Sequence, residues 1–238
     1  MTLLTDQCYN VQVIDDTALL VPAYNEGQVI HEHLAAACRA FRWVVCVDDG
    51  SSDDTAIHAG SAGAIVLRHP VNLGQGAALQ TAIEYALRLP VIWFCTFDAD
   101  GQHRLDDVIA MREVAQTLDV DIVLGSRFLG QTTNMPTVKR WLLKAAVRFT
   151  DWTSGVKLTD AHNGLRLFNR HVAQTIDLQE NGFNHASEFI DKIKTNGYTF
   201  AEAPVTIDYS DYSKAKGQSM LNAINLATDT LITKVVRK

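Results

Sequence analysis

Two aspartates one residue apart, Asp98 and Asp100, are the residues of this sequence best suited to chemistry. They follow residues 91–97, an apolar run rich in β-branched and aromatic side chains, which predicts a buried strand. Two carboxylates at a strand end repel each other unless a cation offsets their charge. Because Mg²⁺ prefers oxygen ligands and often shares them with substrate phosphates, the pair is consistent with a metal–diphosphate site. Taken alone, the pair is better explained as a solvated acidic turn, and the rest of the sequence has to change that interpretation.

The elements before residue 128 would bring other polar side chains to the same place. Apolar runs at 17–21, 43–47, 64–67, 91–97 and 121–124 alternate with helical patterns, which predicts βαβ units and a largely parallel sheet covered on both faces. In such sheets ligands bind beyond the carboxyl ends of the strands. Four polar clusters follow predicted strands and are expected to converge there: Tyr24 with Glu26, Asp48 with Asp49, Asp98 with Asp100, and Arg127.

Composition limits the class of protein. The 238 residues are 47% apolar and 20% charged, as in an ordinary globular protein, and the net charge of −6 argues against a nucleic-acid binder. The four cysteines show no Cys-x-x-Cys spacing, so they are expected to be small core residues in a reducing cytoplasm. No signal peptide and no apolar run of about 20 residues is recognised. We therefore expect a cytoplasmic protein that is soluble or peripheral at a membrane.

The regular alternation of predicted strands and helices ends after residue 128. The patterns predict a long helix at 137–152, a short strand from 165, a helix at 186–196, a strand at 199–209 and a final helix at 220–236. No linker or internal repeat interrupts them, so one domain over residues 1–238 is predicted. Residues 17–128 would form one half of this domain and residues 129–219 the other. The amphipathic helix at 220–238 has an apolar stripe suited to core packing, homo-oligomer formation or membrane contact.

Five motifs resemble, in order, the signature of family-2 inverting glycosyltransferases with a GT-A fold: residues 21–26, 47–51, 72–76, 98–103 and 125–128. The resemblance covers roughly residues 17–219 and is closest to the polyprenyl-phosphate (dolichyl-phosphate-mannose-synthase-like) branch. It implies an α/β fold with a Rossmann-like, mostly parallel central sheet flanked by helices, and a smaller acceptor-side subregion. Residues 17–128 would then be the nucleotide-sugar-binding half and residues 129–219 the acceptor half. The resemblance also implies transfer of a sugar from a nucleoside-diphosphate-sugar to a polyprenyl phosphate or lipid-linked saccharide in cell-envelope glycan synthesis.

The resemblance also implies which residues contact the donor. Tyr24 would flank the base, while Glu26 and Asp49 would accept hydrogen bonds from the base or ribose. Asp48 and Asp49 point to opposite faces if the chain is extended, so Asp49 is favoured. Arg127 and Arg166 suit bidentate binding of phosphate oxygens. The segment with Lys214 and Lys216 resembles the family's mobile basic loop that closes over the diphosphate. The full donor-binding set is Pro22, Tyr24, Glu26, Val47, Asp49, Ala99, Arg127, Arg166, Lys214 and Lys216.

Asp98 and Asp100, with Gln102 as a further oxygen ligand, would hold Mg²⁺ or Mn²⁺ against the donor diphosphate. His103 is expected to support the site and not to bind the metal. Asn72 to Gly76 fits neither a dinucleotide fingerprint nor a Walker loop, and we assign it no chemistry.

The group that activates the acceptor stays open. A lipid phosphate is already ionised, whereas a sugar hydroxyl needs a carboxylate base within hydrogen-bond reach. Asp160 and Glu188 are the candidates. Asp160 could equally orient Arg166, and Glu188 could be a solvated helix residue.

Other interpretations are weighed here as well. The basic helix around residues 139–148 suits either an anionic bilayer surface or packing on the sheet. A glycosyltransferase acting on a sugar hydroxyl of a polysaccharide or protein glycan is the alternative within the same class. A sugar-nucleotide nucleotidyltransferase would show a glycine-rich basic loop after the first strand, which is missing here. A non-catalytic partner that binds nucleotide sugars would not need the metal and basic motifs.

Overall fold

The computed structural model describes residues 13–133, 141, 143, 147, 155–161, 163–182 and 184–208. Seven strands are described: β1 (Ile14–Ala23), β2 (Phe41–Asp48), β3 (Ile65–Arg68), β4 (Trp93–Thr96), β5 (Ile122–Thr133), β6 (Arg166–Asn169) and β7 (Phe200–Asp208). Six helices accompany them: α1 (Ile30–Ala40), α2 (Thr55–Ser61), α3 (Gln75–Ala86), α4 (Leu105–Leu118), α5 (Arg170–Thr175) and α6 (His185–Asn196). Strands and helices alternate as predicted as far as β5.

The seven strands form one sheet in the order β3-β2-β1-β4-β6-β5-β7. Neighbours pair in parallel except β6, which runs antiparallel to both β4 and β5. The predicted mostly parallel sheet is therefore confirmed. Because β6 is antiparallel, it begins at the edge where β4 ends, and Arg166 pairs with Thr96.

Alternate residues of the strands supply two separate cores. On β1, Leu19 and Val21 pack with α1 and α4, whereas Ala18 and Leu20 pack with α3 and α6 on the other face. This alternation is what a sheet covered on both faces requires, and it explains why the strands appear in the sequence as continuous apolar runs.

Two details differ from the sequence prediction. β5 continues to Thr133, well beyond the expected end at residue 124, because its pairing with β7 shifts register between Ser126 and Gln131 and then resumes. Helix α5 was not predicted, since six residues show little periodicity. It begins where Asn169 Oδ1 accepts a hydrogen bond from the Val172 amide at 3.0 Å.

Several predicted features lie outside the described residues. Among these are Lys214, Lys216 and the helix at 220–238, and of the helix at 137–152 only Trp141, Leu143 and Val147 are described, all with helical backbone. Trp141 is 71% exposed and Val147 is buried. The single-domain organisation stays a prediction. Within the described part of the chain, no helix has the length and apolar character needed to cross a membrane.

Candidate active site

The ends of β1, β2 and β4 bring the predicted polar clusters to one edge of the sheet. Ala23 pairs with Asp48 at the ends of β1 and β2, and Thr96 at the end of β4 pairs with Leu20 of β1 and with Arg166 of β6. Asp98 and Asp100 follow within four residues of Thr96. The clusters after β1, β2 and β4 and the guanidinium of Arg166 therefore belong to one region, as expected for the carboxyl edge of a parallel sheet.

Asp98 is held in place by contacts from three segments. His103 Nε2 lies 2.9 Å from Asp98 Oδ2, and Gln75 Nε2 makes a weaker contact of 3.5 Å with Asp98 Oδ1. Gly164 packs so closely that a β-carbon there would lie 2.7 Å from Asp98 Oδ2. Burial raises the pKa of the Asp98 carboxyl, but the charge of His103 and its hydrogen bond outweigh burial, so the pKa lies below its ordinary value. Asp98 is therefore a positioned carboxylate.

Asp100 accepts hydrogen bonds from a residue of its own turn. Its Oδ1 accepts from the Gln102 amide at 3.1 Å, and its Oδ2 accepts from the Gln102 side-chain amide. Burial, followed by the negative charge of Asp98, raises the pKa of Asp100. A divalent cation would relieve this repulsion, so the pair suits a hard metal ion. Among the described residues, no group of three or more His, Cys, Asp or Glu side chains is arranged to hold a metal.

Asp49 is buried and bonded to the loop that follows β3. Its oxygens accept from the amides of Leu73 at 2.9 Å and Gly74 at 2.7 Å, and its Oδ1 lies 2.7 Å from His69 Nδ1. Asp48 is also buried, and it accepts from the Ser51 amide at 3.0 Å. Asp49 thus connects the β2 end to residues 72–76, a loop to which the sequence assigned no chemistry.

The loop after β1 is tied to the loop after β2. Asn25 N donates to Ser51 Oγ at 2.9 Å, and Glu26 N donates to Thr55 Oγ1 at 2.8 Å. Tyr24 is 46% exposed at this edge, a position open to a ligand. The side chains of Val47 and Ala99 are buried and Pro22 lies within β1, so any donor contact of Val47 or Ala99 would be made by backbone atoms.

Asp160 pairs with Arg127. Asp160 Oδ2 accepts from Arg127 Nε at 2.5 Å and from the Arg127 amide at 3.1 Å, and both side chains are almost fully buried. The sequence left open whether Asp160 orients Arg166. The structure shows that Asp160 pairs directly with Arg127, while it acts on Arg166 through its charge.

Arg166 is buried between β6 and α6. Its Nε donates to the Asn163 carbonyl and its Nη2 to the Ala186 carbonyl, both at 3.3 Å. The guanidinium lies 4.8 Å from the centre of the Phe189 ring, within cation–π range. Burial lowers the pKa of Arg166 to about 10, against the opposing charges of Asp98 and Asp160, so the group remains a cation at neutral pH.

Glu188 is bonded to the loop before α6. Its two oxygens accept from the amides of Gln179 and Glu180 at 2.9–3.0 Å, and Lys192 Nζ lies 3.5 Å away. The role of Glu188 as a base stays a prediction, and the structure adds a role in holding residues 179–180.

A cavity of about 220 Å³ opens beside Asp98, between α3 and α6. Its polar walls include Gln75, Asn163 and His185, three residues that were not selected from the sequence. Gln75 lies in the 72–76 motif and Asn163 lies between Asp160 and Arg166, so their nearness in sequence to selected residues could have identified them. Nothing local marks His185, because its position depends on how α6 packs against α3.

Comparisons with known proteins identify the family of this chain. The family model "Glycosyl transferase family 2" matches residues 18–177. An uncharacterized protein of Methanocaldococcus jannaschii is 34% identical over 93% of this chain and 93% of its own length. A protein of Methanococcus voltae named UDP-N-acetylglucosamine–dolichyl-phosphate N-acetylglucosaminyltransferase is 26% identical over 91% of this chain and 95% of its own.

Among solved structures, glucosyl-3-phosphoglycerate synthase from Mycobacterium tuberculosis, in complex with Mn²⁺, UDP-glucose and phosphoglyceric acid, has a TM-score of 0.69. The two proteins are 15% identical, and the match covers 93% of this chain and 79% of that one, so the likeness concerns the fold. The family match extends over more than half of the sequence, from β1 to the end of α5. The chain therefore belongs to glycosyl transferase family 2 and is a glycosyltransferase.

Proposed function

We propose that this enzyme transfers a sugar from a nucleoside-diphosphate-sugar to the phosphate of a polyprenyl phosphate, in one displacement that inverts the anomeric carbon. The observation that carries this proposal is the carboxylate pair Asp98 and Asp100 at the same edge of the sheet as the buried cation Arg166. The relative from Methanococcus voltae, by its name, uses dolichyl phosphate as acceptor. That name supports a lipid phosphate here.

Asp98 and Asp100 would hold Mg²⁺ or Mn²⁺, since both present oxygen ligands and their mutual repulsion favours a cation. When bound, the metal offsets the negative charge that grows on the departing nucleoside diphosphate. Gln102 supports the pair, because its amide groups bond Asp100. The solved Mycobacterium structure contains Mn²⁺ with UDP-glucose, which is consistent with this arrangement.

The remaining donor contacts are proposed from position. Tyr24 and Glu26 lie in the loop after β1, where a nucleoside would meet an exposed ring, and Asp49 positions the neighbouring loop. Arg127, oriented by Asp160, would bind a phosphate oxygen. Lys214 and Lys216, outside the described residues, would close over the diphosphate.

A phosphate acceptor simplifies the chemistry. Its oxygen already carries negative charge near neutral pH, so the acceptor can attack the anomeric carbon without a general base. Both candidate bases already accept hydrogen bonds, Asp160 from Arg127 and Glu188 from backbone amides, which supports a reaction that needs no general base. A sugar-hydroxyl acceptor would instead need one of them to take a proton. With a lipid acceptor, we also propose peripheral contact with the cytoplasmic face of the membrane.

The test is transfer from UDP-, GDP- and dTDP-sugars to a short polyprenyl phosphate in detergent, with Mn²⁺ or Mg²⁺. We expect Asp98→Asn and Asp100→Asn to lower kcat by about 10³ or more, since each removes a carboxylate that would hold the metal, and the metal would stabilise the leaving group. Asp106→Asn is the matched control, because Asp106 is exposed on α4. Full activity in either site variant would overturn the metal assignment. Transfer only to glycan hydroxyls would overturn the acceptor assignment.

A further inference from the structure

The cavity beside Asp98 has a defined direction. Helices α3 and α6 both begin at the carboxyl edge of the sheet, because α3 follows parallel strand β3 and α6 precedes parallel strand β7. Their first residues, Gln75 and His185, therefore lie near the site. Leu79 and Phe189 lie one turn further in, about 5.4 Å per turn. The cavity thus leads from the mouth at Asp98 towards the core.

The inner part of the cavity is apolar. Its side chains are Leu79, Ile83, Leu178 and Phe189. All four belong to the core between α3, α6 and the sheet. These four side chains carry no charge, so this end suits a small apolar group, with the Arg166 guanidinium beside it over the Phe189 ring.

The mouth of the cavity presents a hydrogen-bond acceptor on the α6 side. His185 Nδ1 lies 2.8 Å from the Gly182 carbonyl, which can only accept, so Nδ1 carries the proton. Burial, then the charge of Arg166, lowers the pKa of His185 to about 4, and the ring is neutral at pH 7. Its Nε2 is then an acceptor, and none of the described groups donates to it.

A donor faces the cavity from β6. Arg166 uses Nε and Nη2 on the Asn163 and Ala186 carbonyls, and no described group accepts from its Nη1. The carboxylate of Asp98 at the mouth balances the charge of Arg166. Inside the cavity the Arg166 charge is balanced by Asp98 and the free nitrogen of His185 accepts, so no net positive charge is left there to bind a phosphate. The mouth therefore favours an uncharged group with one donor and one acceptor.

A secondary amide with a short acyl chain has these features. We propose that the cavity receives the N-acyl group of an N-acylated amino sugar in the donor, with the carbonyl bound by Arg166 Nη1 and the N–H by His185 Nε2. The methyl group packs on Leu79, Leu178 and Phe189. This inference rests on the proposed function, because the acyl group enters as part of a nucleoside-diphosphate-sugar whose diphosphate is bound at Asp98 and Asp100.

The test compares donors that differ only in the acyl group. Calorimetric titration of the full chain with Mn²⁺ measures the affinity for UDP-N-acetylglucosamine and UDP-glucose, and for the same two sugars on dTDP. GDP-mannose is included as a donor without an acyl group on a third nucleotide. We expect each N-acetylglucosamine donor to bind about 10- to 100-fold more tightly than the glucose donor on the same nucleotide. Glucose has no acyl group, so it lacks one hydrogen bond and the methyl contact.

Two variants assign that preference to the cavity. Leu79→Trp fills the apolar end, and we expect the preference to disappear; Leu118→Trp, the same change at a 57% exposed position on α4, should retain it. His185→Phe keeps a ring but removes the acceptor, and the preference should fall about tenfold. Melting temperatures without ligand establish that each variant folds. If Leu79→Trp does not fold, the His185→Phe result decides.

The outcomes separate this inference from the function beneath it. Equal affinity within each pair, tighter binding of GDP-mannose alone, or an unchanged preference in both variants overturns the acyl pocket while leaving the glycosyltransferase proposal intact. If none of these sugar nucleotides binds with Mn²⁺, the proposed donor class fails, and the acyl pocket fails with it.

Discussion

Asp160 and Arg127 form a buried ion pair, with 2.5 Å between Asp160 Oδ2 and Arg127 Nε. The same oxygen also accepts from the Arg127 backbone amide, so one carboxylate fixes both the position and the direction of the guanidinium. Asp160 itself is held at its backbone by Glu202 of β7, whose Oε1 lies 3.2 Å from the Asp160 amide. The proposed phosphate-binding arginine is thus oriented by a chain of contacts that reaches the edge strand of the sheet.

Asp160→Asn should destabilise the protein. The change removes the carboxylate charge that faces the buried Arg127 guanidinium, and we expect the free energy of unfolding to fall by about 3 kcal/mol. Urea denaturation measures the loss. Asp106→Asn is the control, because the Asp106 side chain is 85% exposed and its contact with Arg104 is 4.0 Å, so its change should stay within about 0.5 kcal/mol. Wild-type stability in D160N would contradict the importance of this pair.

Gly164→Ala should impair donor turnover. A β-carbon would lie 2.7 Å from Asp98 Oδ2, so the carboxylate has to move from its position. We expect kcat/KM for the donor to fall about 10²-fold, a cost typical of a small displacement at a reacting centre. Gly182→Ala is the matched control, since no atom lies within 4 Å of a β-carbon there. Equal activity of the two variants would show that Asp98 tolerates the shift.

Glu188→Gln distinguishes a structural role from a catalytic one. Glu188 accepts three hydrogen bonds from backbone amides of the loop before α6, and the neutral amide would weaken them, so we expect a loss of about 1–2 kcal/mol in the free energy of unfolding. With a phosphate acceptor, kcat should stay within about tenfold of wild type. A fall of 10² or more with unchanged stability would instead support Glu188 as the base.

Acidification should destabilise the protein through His185. Its pKa is lowered from 6.5 to about 4, so between these values the unfolded chain binds a proton that the folded chain does not. Stability therefore decreases as pH falls from 6.5 towards 4, and the His185 contribution to this loss approaches about 3 kcal/mol.

The measurement is denaturation between pH 7 and pH 4 for wild type and His185→Phe. The variant should lose less stability over this range. His31→Phe, which replaces an exposed histidine on α1, controls for the removal of one imidazole side chain. If wild type and H185F lose stability in parallel, burial of a neutral His185 is contradicted.

Local patterns were sufficient for much of the fold. Apolar strand runs predicted β1 to β5, because burial on both faces of a sheet leaves a direct mark on the residue types. The position of Asp98 and Asp100 after a strand followed in the same way. Short elements were missed, as α5 shows, since one and a half turns give no periodicity to detect.

The sequence by itself determined which residues stand at the strand ends and which family the chain resembles. Only the tertiary structure decided which side chains are partners. It paired Asp160 with Arg127, hydrogen-bonded Glu188 to a loop, made β6 antiparallel and placed His185 and Arg166 on the wall of one cavity. The physical reason is that hydrogen bonds and cavities form between segments far apart in the chain, and no local pattern of residue types records which segments will meet.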